Sequence, residues 1–417
     1  MPSPTRGTYD LFASTALGLE SIAAGELKSL GVRGKQEIGG VGFSGDLQVL
    51  YKTNLWLRTA SRVLVRMGSF HASTFYELER RARKLPWREF LPADGSGPGS
   101  ALGSVTVRAT CRKSRLYHSD AVAERLLAAI AEVAPAGIRM QQSIDSETAE
   151  DGEEKSATQL FVARIVHDQV EISADSSGDL LHRRGYRKEV AKAPLRETLA
   201  AAMVLASGWR SADTLLDPLC GSGTIPIEAA LIARNIAPGL AREFQFTKWR
   251  GFDAHCWNET LAEARRAMVA GALDIRGADR DAGAIEAARR NAERAGVAAD
   301  VAFSVGALSN SLSALENART SGSWILTNPP YGVRVGDAKE LRDLYSKLGA
   351  AVRDHPGCRL GLLIPDESLA AQLHLSLRSR FDSRNGGIPV SFLASEKTPG
   401  KGAPFPETGV RGREGGD

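Results

Sequence analysis

The sequence predicts an α/β protein in which a parallel sheet with helices on both faces follows a smaller α+β region. From Pro194 onward, apolar strand segments alternate with helical segments, which is typical of a covered parallel sheet. A glycine-rich turn joins the first of these strands to its helix. Before Pro194, the order strand, helix, strand, strand is typical of a ferredoxin-like or related α/β layer.

The first 70 residues are predicted to form a small α+β unit. Leu17–Leu30 places apolar side chains on one helical face, and Gly31 follows as a C-terminal stop. The segment GGVGFSGDLQVLYKTN predicts a short strand, a turn and another helix. After the Gly-, Ser- and Pro-rich loop Pro92–Ser104, the predicted elements are a strand at Val105–Ala109, a helix at Ala121–Ala131 and a hairpin of Gln159–Val166 with Gln169–Ala174 around His167-Asp168.

The region after Pro194 is predicted to contain four helices and five strands. The helices are Leu195–Ala206, Ile225–Arg234, Ala282–Ala295 and Ala338–Val352. The strands are Thr214–Leu216, Asp274–Ala278, Val301–Val305, Trp324–Thr327 and Arg359–Ile364. The acidic segment Asp145–Glu154 predicts a solvated loop, and the Gly- and Pro-rich tail from Lys397 predicts disorder.

Composition excludes several classes of protein. The chain has 417 residues, enough for about two or three domains, and its 43% hydrophobic and 24% charged residues exclude global disorder. No apolar run approaches the roughly 18 residues of a membrane helix, and the N-terminus has no signal-peptide pattern. The four cysteines form no CxxC pair, which excludes a zinc ribbon and favours a reducing cytoplasm; we expect no metal and no membrane partner.

Basic residues are clustered although the net charge is only 53 − 49 = +4. Basic side chains neutralise phosphates and aromatic rings stack on bases, so clusters near Trp87, Tyr117 and Tyr186 favour RNA as a partner. Any one cluster alone is more typical of an ordinary solvated surface, and three clusters in one weakly charged chain weaken that alternative. The clusters are Arg80, Arg81, Arg83 and Lys84; Arg108, Arg112, Lys113 and Arg115; and Arg183, Arg184, Arg187, Lys188 and Lys192.

The glycine-rich turn lies in LLDPLCGSGT, between an apolar strand and a helix. It matches neither GxxxxGK[ST] nor GxGxxG, and an acid, Asp217, precedes the glycines. A carboxylate facing the cofactor favours one with positive charge, and S-adenosylmethionine has an ammonium and a sulfonium. The predicted cofactor-binding residues here are Asp217, Pro218, Gly221, Gly223 and Thr224.

A second acid, Asp279, ends the next strand and is predicted to accept from the ribose hydroxyls. The usual spacing to such an acid is about 20 residues after the glycines, whereas 62 residues separate Asp217 from Asp279. The assignment therefore requires that residues from Asn235 to Leu273 form an insert that loops out. The alternative for both acids is a role in capping or in a turn.

The segment WILTNPPYG places Asn328, Pro329, Pro330 and Tyr331 directly after an apolar strand. The Asn328 side-chain oxygen and the Pro329 carbonyl can accept the two N–H groups of a nucleobase amine and aim its lone pair at a methyl group. The prolines stiffen the loop, and Tyr331 can stack on the base. These four residues are the predicted catalytic residues, with Asn328 also beside the cofactor.

The chain resembles the THUMP-domain guanine-N2 RNA methyltransferases, and among them the bacterial 23S ribosomal RNA enzymes. The segments that carry the resemblance are GLESIAAGELKSLG, LHRRGYRKEVAKAPLRETLAAAMV, DPLCGSGTIPIEAALIARNIAPGLAREFQFTKWRGFD, DRDAGAIEAARRNAERAGV and NPPYGVR. The resemblance implies a ferredoxin-like domain at 1–70, a THUMP domain at 71–180, a Rossmann-like class I methyltransferase domain at 181–396 and a tail at 397–417. It implies S-adenosylmethionine as cofactor, ribosomal RNA as substrate, a monomer and a single methyltransferase module.

One position departs from the family pattern. The family usually has an acid after its third strand, near the adenine amine, whereas FSVGALSN has Ala307 there. Ser309, Asn310 or backbone groups are the candidates that replace the acid. Three alternatives stay open: a transfer-RNA guanine-N2 methyltransferase, a DNA adenine-N6 methyltransferase, and a non-catalytic RNA-binding assembly factor. Arg108, Arg112, Lys113, Arg115, Arg183, Arg184, Arg187 and Lys188 are the predicted RNA-binding residues.

Overall fold

A computed structural model describes residues 7–92, 103–142, 158–188, 195–313, 322–330, 338–355 and 357–395. Tyr331, the acidic segment Asp145–Glu154, most of the loop Pro92–Ser104 and the tail from Lys397 lie outside the described residues, so their predicted structures stay predictions. Within the described ranges, no helix is both long and apolar enough to cross a membrane.

The strands of the first half form one mixed sheet with helices packed against it. The strands are β1 Tyr9–Thr15, β2 Gly34–Glu37, β3 Gly40–Gly45, β4 Ala60–His71, β5 Ser104–Arg112, β6 Arg139–Gln142, β7 Thr158–Val166 and β8 Gln169–Asp175. The helices are α1 Glu20–Ser29, α2 Leu47–Trp56, α3 Phe75–Ala82 and α4 Ser119–Ala131. The described strands follow the order β2-β3-β1-β4-β8-β7-β5-β6.

Strand β4 joins the two predicted N-terminal units into this single sheet. It pairs antiparallel with β1 on one side and with β8 on the other. A boundary near residue 70 therefore falls at the end of a shared strand, and the sequence segments on either side of it share one apolar core. The boundaries at 70 and 180 stay predictions.

Local chemistry explains the ends of several elements. Gly31 has φ 80°, the left-handed conformation that ends the first helix as the sequence predicted. The Asp46 carboxylate accepts from the Val49 N–H and caps α2. His167 and Asp168 have φ 52° and 61°, which is the backbone of the predicted two-residue hairpin between β7 and β8.

The second half is a sheet with helices on both faces. Its elements are α5 Glu197–Ser207, β9 Thr214–Asp217, α6 Thr224–Ala233, α7 Ala254–Arg266, β10 Ile275–Asp279, α8 Ala282–Arg294, β11 Val301–Val305, α9 Leu308–Ser313, β12 Ser323–Thr327, α10 Ala338–Asp354, β13 Cys358–Ile364, α11 Glu367–Ala371, β14 Leu377–Asn385 and β15 Ile388–Ser395. The described strands follow the order β11-β10-β9-β12-β13-β15-β14. Strands β9 to β13 are parallel, and only the last hairpin is antiparallel to them, so the α/β fold class is confirmed.

The residues between α6 and β10 do loop out of the parallel sheet, as the assignment of Asp279 requires. Phe246 stacks on Tyr51 of α2 with ring centroids 4.6 Å apart, and Trp257 of α7 meets both rings edge-on. The Tyr51 hydroxyl also accepts from the Asp253 N–H at 3.0 Å. The insert is therefore a buried aromatic junction that fixes the second half against the first.

Candidate functional site

The site lies where three neighbouring parallel strands end. Asp217 ends β9, Asp279 ends β10, and Asn328 follows β12 directly. Because β9 pairs with both β10 and β12, these three residues lie at the same edge of the sheet. In doubly wound sheets, ligands bind in the crevice beyond the carboxyl ends of the strands, at the point where the strand order reverses. The structure thus brings together the acids and the amide that the sequence predicted.

Asp217 is a buried carboxylate at the end of β9. Only 2% of it is exposed, and one carboxylate oxygen accepts from the Leu219 N–H at 3.2 Å. Burial raises the pKa of Asp217 to about 7; the Thr327 side chain and the Leu219 N–H lower it, and the charge of Asp279 raises it. No Lys or Arg of the described ranges forms an ion pair with this carboxylate. A cationic ligand placed here would stabilise the ionised form.

Asp279 supports the glycine-rich turn as well as facing the site. One carboxylate oxygen accepts from the Gly221 N–H at 3.0 Å, and the other accepts from the Asp281 N–H at 3.0 Å. The side chain is half-buried, so the oxygens retain capacity for a further donor such as a ribose hydroxyl. These two bonds also stabilise the turn, which is the alternative role that the sequence left open for Asp279.

Gly221 and Gly223 meet different structural requirements of the glycine-rich turn. Gly221 has φ 51° in the turn that the Asp279 carboxylate holds. Gly223 has φ 84°, and a Cβ there would lie 2.9 Å from the Ala288 side chain of α8 and 3.0 Å from the Phe303 ring of β11. Gly223 therefore also permits close helix packing, which the sequence interpretation did not anticipate. Thr224 and Pro218 flank the turn, and Thr224 starts α6.

The Asn328 segment presents acceptors at the strand end. The Asn328 side-chain oxygen is buried and has no hydrogen-bond partner among the described residues. Pro329 is buried and Pro330 half-buried, so the segment is held against the protein. A buried acceptor without a donor costs free energy unless a ligand supplies one. This observation fits an N–H donor arriving at Asn328.

Ala307, at the position of the missing acid, is exposed and directly precedes α9. The Ala307 carbonyl accepts from the N–H groups of Asn310 and Ser311, at 3.0 and 3.1 Å. A cavity of about 320 Å³ lies beside the end of β11, and Asn310 is one of its lining residues together with Gly306. Of the two side chains proposed to replace the acid, Asn310 is thus the one that faces this cavity. Among the described residues, no group of three His, Cys, Asp or Glu side chains could hold a metal ion.

The basic residues of the linker, which we define as residues 176–196 between β8 and α5, do not form one surface. Arg184 is 3% exposed, and its guanidinium lies 3.5 Å from the Glu228 carboxylate of α6. Arg187 pairs with Glu197 of α5 at 3.0 Å. Both guanidinium groups form ion pairs with buried carboxylates. The structure therefore contradicts the interpretation of Arg184 and Arg187 as phosphate contacts. Arg183 is partly exposed beside Asp179, and Lys188 is exposed.

The strand-end cluster differs from the linker. Arg112, Lys113 and Arg115 are exposed, and no ion pair or side-chain hydrogen bond is present for them among the described residues. Their backbone is pinned: the Arg115 N–H donates to the Asp168 carboxylate at 2.7 Å. Arg108 is half-buried and already in contact with other groups. Tyr117, 69% exposed, lies on the same loop.

Comparisons with known proteins agree on the family. The family model described as UPF0020, RMKL-like, methyltransferase domain, matches residues 184–388, and the RlmL ferredoxin-like domain matches residues 10–64. The chain is 37% identical over 392 residues to the "Ribosomal RNA large subunit methyltransferase K/L" of Syntrophotalea carbinolica, covering 92% of this chain and 53% of that protein. It therefore spans about half the length of that relative.

Two further similarities cover most of both chains. The "Putative RNA methyltransferase YpsC" of Bacillus subtilis is 35% identical, over 82% of this chain and 84% of that protein. The crystal structure of SMU.472, described as "a putative methyltransferase complexed with SAH", superposes with a TM-score of 0.78 at 29% identity, over 95% of this chain and all of that chain. With its matched domains, its fold and the geometry of its strand ends, the chain belongs to the RMKL-like methyltransferase family.

Proposed function

We propose that the chain transfers a methyl group from S-adenosylmethionine to the exocyclic N2 amine of a guanine in RNA, with 23S ribosomal RNA as the substrate. The observation that carries the proposal is the pair of incomplete groups at adjacent strand ends. Among the described residues, the buried Asp217 carboxylate has no cationic partner and the buried Asn328 oxygen has no donor. A cationic cofactor would supply a partner for the Asp217 carboxylate, and a nucleobase amine would supply a donor for the Asn328 oxygen. The ribosomal RNA relative and the YpsC relative support RNA as the substrate class.

The residues present fit S-adenosylmethionine. Asp217 would face its positively charged amino-acid end, the turn at Gly221 would lie against it, and Asp279 would accept from the ribose hydroxyls. Asn310 would lie on the adenine side in place of an acid. When bound, the cofactor supplies an electrophilic methyl group on a sulfonium.

The remaining chemistry is positioning of the amine. The lone pair of a guanine amine is delocalised into the ring, so the nitrogen is a weak nucleophile. The Asn328 side-chain oxygen and the Pro329 carbonyl would accept its two N–H groups, which favours a pyramidal nitrogen with its lone pair aimed at the methyl group. The segment is already held by the buried Pro329, so this alignment costs little entropy at the reaction.

The proposal is tested by incubating the protein with methyl-labelled S-adenosylmethionine and, separately, 23S ribosomal RNA, transfer RNA and duplex DNA. Digestion and mass spectrometry then identify the modified nucleoside. We expect N2-methylguanosine from ribosomal RNA. Label in transfer RNA alone would favour the transfer-RNA enzyme, and N6-methyladenine in DNA would favour the DNA enzyme. Absence of cofactor binding by calorimetry would favour the assembly factor.

Asp279→Ala is expected to weaken cofactor binding more than RNA binding. The variant removes an acceptor for the ribose and the bond that holds the Gly221 N–H, and hydrogen bonds to charged groups contribute roughly 1.5–3 kcal/mol, or about 10- to 150-fold in affinity. Asp281→Ala is the matched control, since Asp281 caps α8 through the N–H groups of Gly283 and Ala284. Calorimetric titration with S-adenosylhomocysteine measures both; equal dissociation constants for the two variants would show that Asp279 is misassigned.

A second prediction concerns the exposed strand-end cluster, which we propose contacts RNA phosphates in a THUMP-like region. Replacing Arg112, Lys113 and Arg115 together with glutamine should lower RNA affinity and flatten its salt dependence by about two to three units of slope, because fewer counterions are released. The rate of methylation at saturating RNA should change less than the affinity for RNA. The measurement is RNA binding by filter retention across a range of salt concentrations. An unchanged slope would mean that the RNA enters by another surface.

A further inference from the structure

The Ser222 carbonyl in the glycine-rich turn depends on a side chain from another helix. Ser222 lies four residues before Pro226, and proline has no N–H, so α6 offers this carbonyl no i+4 donor. The Asn291 amide of α8 donates to it instead, at 3.1 Å. Asn291 is fully buried, and Ser222 is 5% exposed. A buried carbonyl needs such a donor, because an unmet one costs free energy.

Asn291 is in turn held by a contact that leads to the linker before the second half. The Arg294 guanidinium donates to the Asn291 side-chain oxygen at 2.6 Å and to the Tyr186 carbonyl at 2.8 Å. This bond fixes the orientation of the Asn291 amide, with its NH₂ group toward Ser222. A path of three hydrogen bonds therefore runs from the linker, through α8, to the turn beside Asp217.

The same linker holds the other helix that flanks the turn. The Tyr186 hydroxyl donates to the Glu228 carboxylate of α6 at 3.0 Å, and both groups are buried. One linker residue thus contacts α6 by its side chain and α8 by its carbonyl. The glycine-rich turn lies between these two helices, so its position depends on both contacts.

We infer that Asn291 and Arg294 are positioning residues for the cofactor turn, and that they tie it to the linker around Tyr186. This inference rests on the proposed function for its meaning in catalysis, since the turn is the segment proposed to lie against S-adenosylmethionine. Neither residue touches the reacting atoms. They act through the Ser222 carbonyl, which sets where the Gly221 and Gly223 backbone lies.

The experiment uses Asn291→Asp, which keeps an oxygen for Arg294 but loses the N–H that Ser222 accepts. Asn54→Asp is the matched control: Asn54 is 1% exposed, and its amide donates to the Leu50 carbonyl and the Ser176 hydroxyl, far from the cofactor turn in sequence and in the other half of the chain. We expect both variants to lower the melting temperature. Only Asn291→Asp should speed hydrogen–deuterium exchange of the peptide covering 218–224 and raise the dissociation constant of S-adenosylhomocysteine about five- to tenfold.

Arg294→Gln tests the same path at an exposed residue, so it remains informative if Asn291→Asp does not fold. Arg294→Gln should also speed exchange of the turn peptide and lower the affinity for S-adenosylhomocysteine, but by less than Asn291→Asp does. The double variant should be no worse than Asn291→Asp alone if both act through Ser222. Equal turn exchange in Asn291→Asp and Asn54→Asp, or unchanged turn exchange in Arg294→Gln, would overturn the inference. Exchange is measured without cofactor or RNA, so failure of the methyl-transfer assignment would be seen separately, as absent S-adenosylhomocysteine binding by the unmutated chain.

Discussion

Asn328→Ala should lower the rate of methyl transfer by about 10²–10³-fold while cofactor and RNA binding persist. The variant removes an acceptor whose interaction with the amine matters most when the nitrogen becomes pyramidal, and losses of one such transition-state contact are typically of this size. Stability should change little, because the Asn328 oxygen makes no hydrogen bond with the described residues that the variant could break. Single-turnover methylation of saturating RNA measures the rate, and calorimetry measures the cofactor.

The conservative variant Asn328→Asp separates the acceptor from the amide. A carboxylate still offers an oxygen to the amine, so part of the rate should return relative to Asn328→Ala. A rate for Asn328→Ala within threefold of the unmutated protein would remove this segment from the mechanism. Loss of cofactor binding in the same variant would instead mean that Asn328 holds the cofactor and not the amine.

The parts of the fold that the sequence predicts are those with a strong local period. The strand Val301–Val305 lies where the alternation places it, and the helix predicted at Ala282–Ala295 differs from α8 by one residue. Strands β6 and β14 were missed because their side chains are largely polar or exposed, so no apolar alternation marks them. The Gly386-Gly387 pair, with φ 54° and 82°, was the available signal for the hairpin that joins β14 to β15.

The candidate site likewise contains residues that local sequence patterns predict and residues whose role depends on distant contacts. Asp217, Asp279 and Asn328 could be predicted because each directly follows or ends an apolar strand, and parallel strands end at one edge. Asn291 could not, because its role depends on contact with Ser222, which is 69 residues away along the chain. Arg184 was misread for a related reason: a basic run in sequence does not show which of its members is buried against a carboxylate elsewhere.

Arg184→Met should lower the free energy of unfolding by about 3–5 kcal/mol, because it leaves the Glu228 carboxylate buried without its guanidinium partner. The variant also removes the donor to the Leu181 carbonyl within the linker and the donor to the Arg58 carbonyl, which joins the linker to the first half of the chain. Denaturant unfolding followed by tryptophan fluorescence measures the loss. Arg183→Met is the matched control, since that side chain is 35% exposed and lies 3.9 Å from Asp179; its effect should stay within about 0.5 kcal/mol.

Glu228→Gln added to Arg184→Met shows whether the cost comes from the unpaired charge. Removing the second charge should restore part of the lost stability, because an uncompensated buried carboxylate is costlier than a neutral amide that can still accept from the Tyr186 hydroxyl. A phosphate-binding role makes the opposite forecast: Arg184→Met would then leave stability nearly unchanged and reduce the salt dependence of RNA binding by about one unit of slope. Since the guanidinium is 2% exposed and faces Glu228, we expect the stability loss and an unchanged slope.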